Sequence, residues 1–180
     1  MESDMERRIP ILSANSETST EATTTNEHGS RARKYVLISP CRDEAKYMRY
    51  TLDSVIAQSI RPAKWIIVND GSSDSSPQIL AEYSSKYDWI EVVTRGDRGR
   101  RLVGPGVIDA FYAGYEAINP DDYDFLCKLD LDLRLPPRYF EILMDRMIAD
   151  PRIATCSGKA YVYENGQLVN ERHGDDTSLA

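Results

Sequence analysis

From residue 35 onward, short runs of apolar residues alternate with longer stretches whose apolar positions recur every three or four residues. Continuous apolar runs of about five residues are typical of buried strands, and the longer stretches are typical of amphipathic helices. The predicted strands are Tyr35–Ser39, Trp65–Asn69, Ile90–Thr94, Asp124–Leu129 and Ile153–Ser157. The predicted helices are 43–58, 77–87, 107–118 and 137–149.

This alternation predicts an α/β fold. Strands that read as continuous apolar runs are buried on both faces, so we expect a mostly parallel sheet with helices on both sides. A different pattern follows at Tyr161–Val169, where Asn165-Gly166 separates two short apolar runs. Asn-Gly between such runs is the strongest two-residue turn signal and predicts a C-terminal hairpin.

The first 33 residues have a different texture. They contain ten Ser or Thr residues and almost no apolar periodicity, and such a segment cannot bury enough surface to offset its ordering entropy. We expect residues 1–33 to form a disordered tail, within which the apolar run Ile9–Leu12 is isolated. The remaining residues, 34–180, are sufficient for one domain with a core of ordinary size.

Composition narrows the possible functions. The net charge of −7 argues against a protein that binds nucleic acid through its phosphates. No run approaches the roughly 18 apolar residues that span a bilayer, and the N-terminus lacks the pattern of a secretory signal. Cys41, Cys127 and Cys156 are odd in number and far apart, which is untypical of a disulfide framework. We therefore expect a cytoplasmic protein with no nucleic-acid partner.

Three pairs of acidic residues follow three different predicted strands. They are Asp43 and Glu44, Asp70 and Asp74, and Asp130 and Asp132. Because the carboxyl ends of parallel strands meet at one edge of a sheet, carboxylates far apart in sequence can converge there on one crevice.

The sharpest of these pairs is Asp130-Leu131-Asp132. Two carboxylates one residue apart can face one cation, and Mg²⁺ or Mn²⁺ prefers such oxygen ligands together with substrate phosphates. Taken alone the pattern is weak, since it also fits a solvated strand end. The apolar strand before it and the Pro136-Pro137 break after it favour a functional loop.

The segment 68–74 combines a strand end with a tight turn. Gly71 permits a sharp turn directly after the strand, and Asp70 at the strand tip can accept hydrogen bonds from a ribose or a base. An alternative explanation for Ser72, Ser73 and Asp74 is that they cap the helix that follows.

Together these segments resemble the family 2 glycosyltransferases, which have the nucleotide-sugar-binding GT-A fold. The resemblance extends from Tyr35 to about Val162 and depends on the order and spacing of four segments. These are 36–45 (VLISPCRDEA), 51–59 (TLDSVIAQS), 67–74 (IVNDGSSD) and 128–132 (KLDLD).

The resemblance implies roles for five residues. Pro40 and Glu44 line the base and ribose pocket, Asp70 contacts the nucleotide, and Asp130 and Asp132 bind Mg²⁺ or Mn²⁺ on the sugar diphosphate, so that Asp130 also belongs to the nucleotide site. One departure is Asn69, which stands where many members have an acidic residue.

A basic loop follows the third predicted strand. Arg95, Arg98, Arg100 and Arg101 could donate charge-assisted hydrogen bonds to phosphate oxygens, and a solvated Gly-rich loop explains them equally well. Gly104-Pro105-Gly106 then opens a helix, whose N-terminus is itself a favourable anion site.

Other enzyme classes fit less well. The first strand is followed by Ser39-Pro40-Cys41-Arg42 and not by the Gly-x-Gly-x-x-Gly turn of a dinucleotide-binding dehydrogenase, and the sequence contains no phosphate-binding P-loop. A phosphatase with an Asp-x-Asp nucleophile would carry it on the first strand. His28 and His173 lie in segments without pattern, which gives no support to a His-centred triad or zinc site.

The resemblance implies an enzyme that moves a sugar from a nucleotide-diphosphate donor to a saccharide or lipid-linked acceptor, with inversion at the sugar. Its general base would lie well downstream of Asp132, and Asp175 and Asp176 follow too closely to fill that place, so the catalytic base is unassigned. We expect the donor half here without the acceptor half, and a location in the cytoplasm or at the inner face of a membrane. The alternative hypothesis is a non-catalytic or degenerate nucleotide-sugar-binding module.

Overall fold

Four parallel strands form the central sheet of the computed structural model, which describes residues 11–13, 33–96, 105–164 and 167–170. The strands of this sheet are β2 (Tyr35–Cys41), β3 (Lys64–Asp70), β4 (Ile90–Arg95) and β5 (Phe125–Lys128). Their spatial order is β4-β3-β2-β5, so the two most apolar strands lie in the middle.

Helices cover both faces of this sheet, which confirms the predicted α/β class. The helices are α1 (Met48–Ile56), α2 (Ser76–Lys86), α3 (Pro105–Tyr115) and α4 (Tyr139–Ala149). Successive side chains of a strand point to opposite faces. Tyr35, Leu37, Trp65 and Ile67 therefore pack with α1, α2 and α4 in one core cluster. Ile38, Ile66 and Val68 pack on the other face against Ala110 of α3.

Helix α3 lies unusually close to the sheet. A Cβ atom at Gly114 would be 2.7 Å from Cγ2 of Ile38 and 3.0 Å from Cγ2 of Val68. A glycine at this position therefore lets the backbone of α3 approach β2 and β3. Because Gly114 is near the C-terminal end of α3, this close packing helps to fix where the N-terminal end of the helix lies.

The longest helices in the described ranges have 11 residues. A membrane-spanning helix requires about 20 mostly apolar residues, and no helix in that part of the chain meets the requirement.

A second, smaller sheet contains the strands β1 (Ile11–Ser13), β6 (Lys159–Glu164) and β7 (Gln167–Asn170). Strands β6 and β7 are antiparallel with Glu164 opposite Gln167, which confirms the predicted hairpin. Strand β1 pairs with β6, so the prediction of disorder is wrong for residues 11–13. The other residues of the predicted tail up to 32, the Asn165-Gly166 turn and residues 171–180 lie outside the described ranges.

The predicted fifth strand at Ile153–Ser157 is wrong. This segment packs against α4, where the Cys156 thiol contacts the carbonyl of Leu143 and the amide of Gly158 donates to the Tyr139 hydroxyl at 3.0 Å. The next strand along the chain begins only at Lys159, and it belongs to the smaller sheet, where it pairs with β1.

Candidate functional site

A crevice opens at the carboxyl edge of the central sheet, where β5 separates from β2. Pairing between the two strands ends at Ile38 and Lys128, whereas β2 continues to Cys41. The space between them is a cavity of about 220 Å³. Its lining residues come from both strand ends, from β3 and from the first turns of α3: Pro40, Cys41, Arg42, Glu44, Asp70, Gly106, Val107, Ala110, Asp130, Leu131 and Asp132.

This cavity contains all five residues that the sequence assigns to nucleotide and metal, namely Pro40, Glu44, Asp70, Asp130 and Asp132. Their convergence follows from topology, since β3, β2 and β5 are neighbours and run in the same direction. Pro40 lies within β2, one residue before its end. It has no N–H, and β5 has already diverged at this point, so the missing donor costs no bond on that side.

The other two acidic residues of the pairs serve a different purpose. The Asp43 carboxylate accepts hydrogen bonds from the backbone amides of Ser73 at 2.7 Å and Asp74 at 3.3 Å. The Asp74 carboxylate accepts from the amides of Ala45 at 3.0 Å and Ser76 at 2.8 Å. Neither side chain lines the cavity. They join the loops that follow β2 and β3, which fixes the backbone on both sides of Glu44.

These bonds change the acidity of both carboxyl groups. The Ser73 amide is the main reason that the pKa of Asp43 lies below its usual value. Partial burial opposes ionisation of Asp74, but the hydroxyl and amide of Ser76 outweigh it and hold the pKa of Asp74 below its usual value as well. Both carboxylates are therefore ionised at neutral pH, and each links the two loops through hydrogen bonds to backbone amides.

Backbone geometry explains the composition of the two loops. Asp43 has φ 57°, a left-handed conformation that Asp and Asn tolerate better than most residues, and the predicted helix start at residue 43 is wrong for this reason. Gly71 has φ 70°, as expected for the sharp turn after β3. The side-chain oxygen of Asn69 accepts a hydrogen bond from the backbone amide of Ser72 at 3.1 Å. Asn69, which departs from the family pattern, therefore stabilises this turn.

Asp70 is 6% exposed at the inner end of the cavity. Its carboxylate lies 3.4 Å from the guanidinium of Arg95, and its backbone carbonyl accepts a hydrogen bond of 2.9 Å from Arg42. Arg95, the last residue of β4, thus contacts Asp70, and its expected contact with phosphate stays a prediction. The other arginines of that loop, Arg98, Arg100 and Arg101, lie outside the described residues.

The N-terminal part of α3, the helix that packs on the Ile38 and Val68 face of the sheet, forms one wall of the cavity. Gly106, Val107 and Ala110 line it, and α3 begins at Pro105, close to the predicted start. Backbone N–H groups of a helix N-terminus favour anions, so this end of α3 adds positive potential beside the carboxylates.

The segment after β5 presents its two aspartates to solvent. Leu129 and Leu131 are 3% and 1% exposed and anchor the segment in the core, and the alternation leaves Asp130 and Asp132 exposed at the cavity. The ammonium group of Lys128 lies 2.6 Å from the Asp130 carboxylate. Asp130 therefore already holds a cation partner in this structure.

Within the described ranges, no three His, Cys, Asp or Glu side chains converge as a ready metal cluster. The donor chemistry nevertheless fits Mg²⁺ or Mn²⁺, because such ions are often held by one or two carboxylates with substrate phosphates and water. Four carboxylates and one arginine, Arg42, line the cavity, so a divalent cation would reduce the repulsion between these carboxylates and an anionic diphosphate.

Cys41 forms part of the cavity wall but is not a nucleophile. It is 1% exposed, and burial together with the charge of Glu44 raises the pKa of its thiol to about 12. A thiol in this state is neutral at physiological pH and unreactive.

Sequence reasoning missed Cys41, Arg42, Val107, Ala110 and Leu131 as cavity residues. The Gly-Pro-Gly segment at the predicted start of the third helix was the one available signal, since it predicts a helix N-terminus close to the sheet edge. Arg42 carries no such signal, because its role depends on the backbone of Asp70, 28 residues away.

The sequence also matches a known family model, that of glycosyl transferase family 2, over residues 36–176. The chain belongs to glycosyl transferase family 2. The match includes the central sheet, the cavity residues and the segment from Thr51 to Ser59, and it confirms the family that the sequence motifs indicate.

Among sequence relatives is the poly-beta-1,6-N-acetyl-D-glucosamine synthase of Staphylococcus aureus, with 22% identity over 131 residues. The aligned part is 73% of this chain and 29% of the synthase. The synthase of Staphylococcus epidermidis gives the same identity and coverage. The chain thus spans less than a third of the length of these relatives.

Solved structures of the same fold include Staphylococcus aureus TarS in complex with UDP, with a TM-score of 0.52 and 21% identity. The match covers 64% of this chain and 32% of the TarS chain. The mannosyltransferase PcManGT from Pyrobaculum calidifontis, solved with GDP-Man and Mn²⁺, has a TM-score of 0.51 and 18% identity, with coverage of 66% and 33%. These likenesses confirm the GT-A type of fold.

Proposed function

We propose that the cavity binds the nucleoside diphosphate part of a nucleotide sugar together with a divalent cation, as the donor site of a glycosyltransferase. The observation that carries this proposal is the convergence of Glu44, Asp70, Asp130 and Asp132 from three strand ends. Family membership supports it, and so do the ligands of the solved neighbours, UDP in TarS and GDP-Man with Mn²⁺ in PcManGT.

The depth of each carboxylate in the cavity suggests its role. Asp70 is nearly buried, Arg95 lies beside its carboxylate and Arg42 holds its backbone carbonyl, so it suits a fixed hydrogen-bond acceptor for the base or ribose. Pro40 and Glu44 lie on the same side, at the end of β2. Asp130 and Asp132 are exposed, and exposed carboxylates can exchange Lys128 or water for a metal ion at lower desolvation cost.

A bound Mg²⁺ or Mn²⁺ would supply Lewis-acid stabilisation of the diphosphate leaving group. The N-terminus of α3 faces the same cavity and would stabilise phosphate oxygens through its backbone N–H groups. Every carboxylate among the described cavity residues is thereby assigned to nucleotide or metal. We assign no general base within the described ranges, and inversion at the sugar and transfer to a saccharide or lipid-linked acceptor remain part of the proposal.

Titration calorimetry with UDP and with GDP, with and without Mn²⁺, tests the donor site. We expect one of the two nucleotides to bind, with an affinity that rises when Mn²⁺ is present. Asp132→Asn keeps the shape of the side chain and removes its charge, so it should lower the Mn²⁺-dependent part of the affinity by at least about tenfold. If the wild-type chain binds neither UDP nor GDP, the proposal is refuted.

Asp121→Asn is the matched control. Asp121 is an exposed aspartate in the short 3₁₀ turn Pro120–Asp122, which precedes β5, whereas the cavity lies beyond the other end of that strand. Its nucleotide affinity should equal that of wild type. Release of nucleoside diphosphate from a sugar donor in the presence of an acceptor would then separate a transferase from a module that only binds.

A further inference from the structure

The polar face of α1 contacts the chain that follows Asp132. The Thr51 hydroxyl donates to the carbonyl of Leu133 at 2.6 Å and accepts from the amide of Leu133 at 3.0 Å. Thr51 is fully buried, and Leu133 is the residue directly after Asp132. One side chain therefore satisfies both backbone groups of a residue that belongs to no helix or strand.

The same contact pattern continues along the helix. Ser54 accepts from the amide of Leu135 at 3.3 Å. Just beyond the end of α1, the Gln58 side chain donates to the carbonyl of Pro136 at 2.7 Å and accepts from the amide of Phe140 at 3.4 Å. Thr51 and Ser54 lie on one face of α1 because of its 3.6-residue period, and Gln58 follows two residues after the helix ends at Ile56.

These contacts explain a motif to which the proposed function assigns no role. Residues 51–59 help to carry the family resemblance, yet none of them lines the donor cavity. Their polar members instead hold the backbone from Leu133 to Phe140 against α1. The buried side chains of Leu129, before the two aspartates, and of Leu131, between them, anchor the same segment in the core.

We propose that Thr51 and Gln58 are positioning residues for the segment that carries Asp130 and Asp132, and that they set the affinity of the donor site for its divalent cation. This inference rests on the proposed function of the cavity. Asp130 and Asp132 stand on a backbone that is fixed upstream by β5 and downstream by α1, so loss of the downstream anchor lets the two carboxylates move relative to each other. Residues that orient metal ligands commonly change metal affinity by 10- to 100-fold when they are removed.

Thr51→Val is the informative change, because valine has nearly the shape of threonine and lacks the hydroxyl. In the metal-free chain, amide hydrogen exchange of the peptide 129–138 should become faster. In calorimetry with the nucleotide that wild type binds, UDP or GDP, the gain in affinity on addition of Mn²⁺ should fall about tenfold. Affinity without Mn²⁺ should stay within about twofold, because Asp70 and Glu44 lie outside the segment that Thr51 and Gln58 hold.

Two further variants separate positioning from general stability. Thr51→Ser retains the hydroxyl and should restore both the slow exchange and the Mn²⁺ dependence. Val55→Ala removes buried apolar volume from the same helix, and it should lower the melting temperature without changing the Mn²⁺ dependence. Gln58→Leu should reproduce the effect of Thr51→Val.

The inference is overturned if Thr51→Val leaves both the exchange and the Mn²⁺ dependence unchanged, or if Val55→Ala reduces the Mn²⁺ dependence equally. If wild type binds neither UDP nor GDP, the proposed function fails and the claim about cation affinity fails with it. Amide hydrogen exchange distinguishes failure of the proposed function from failure of this inference, because it reports how firmly Thr51 and Gln58 hold the segment after Asp132 when no ligand is bound.

Discussion

The carboxylate of Asp43 accepts a hydrogen bond of 2.7 Å from the backbone amide of Ser73 and another of 3.2 Å from its hydroxyl. The two residues are 30 positions apart and belong to the loops that follow neighbouring strands. Neither lines the cavity, but the loops they join present Glu44 and Asp70 to it. The geometry of the cavity therefore depends on residues that do not line it.

Replacement of Asp43 by alanine should lower the free energy of unfolding by about 1–2 kcal/mol, because it removes the acceptor and places alanine at φ 57°. Asp43→Asn keeps an acceptor oxygen and tolerates the left-handed backbone, so it should lose less than half as much. Urea denaturation at pH 7 measures both variants. Equal losses for alanine and asparagine would show that neither backbone conformation nor acceptor matters.

The free energy of unfolding should decrease on acidification because of Asp43 and Asp74, the two carboxylates that link the loops after β2 and β3. Each has a folded-state pKa below its unfolded value of about 3.9. Their contribution is complete above that unfolded value and is lost as the pH falls through the lower folded value. The free energy of unfolding from urea titrations should fall below about pH 4. Asp43→Asn should show a weaker decline over the same interval, and identical profiles for the two proteins would contradict this assignment.

The sheet and the cavity could be anticipated from sequence because both follow from topology. Apolar runs indicate parallel strands, and parallel strands bring Asp70 and Asp132 to one edge. The opposite orientations of Asp43 and Glu44 could not be anticipated, since they depend on a left-handed residue and on amides 30 positions away. Long-range contacts of this kind leave no periodic signal in the chain.

The same reasoning explains the position of Arg95 and the wrong prediction of a strand at Ile153–Ser157. A basic residue in a Gly-rich loop suits a phosphate, yet Arg95 is the last residue of β4 and lies opposite Asp70 in the ladder. A short apolar run such as 153–157 fits a strand until a neighbour offers other partners, here the Leu143 carbonyl and the Tyr139 hydroxyl on α4. In both cases tertiary contacts determined the outcome.

Gly114→Ala should destabilise the protein by about 1–2 kcal/mol, despite the better helix propensity of alanine. The new Cβ would meet the branched side chains of Ile38 and Val68, neither of which can move away in a packed core. Gly96→Ala is the control, because a Cβ at Gly96 has no described atom within 4 Å. Thermal unfolding of both variants tests the contrast, and a stabilised Gly114→Ala protein would mean that α3 can retreat from the sheet at no cost.

The three cysteines should react slowly in the folded chain, and Cys41 and Cys127 should be the slowest. Burial raises the pKa of Cys41 and of Cys127 to about 12, and it also raises the pKa of Cys156. With a pKa near 12, about one thiol in 10,000 is ionised at pH 8, and the thiolate is the reactive form. Ellman's reagent at pH 8 should therefore react slowly with native protein and rapidly with all three thiols in urea. A Cys41→Ser variant should leave the native rate unchanged, because Cys41 is the most buried of the three. Fast modification of Cys41 in the native state would mean that the cavity wall opens to solvent, and the cavity would then be less rigid than the hydrogen bonds around it imply.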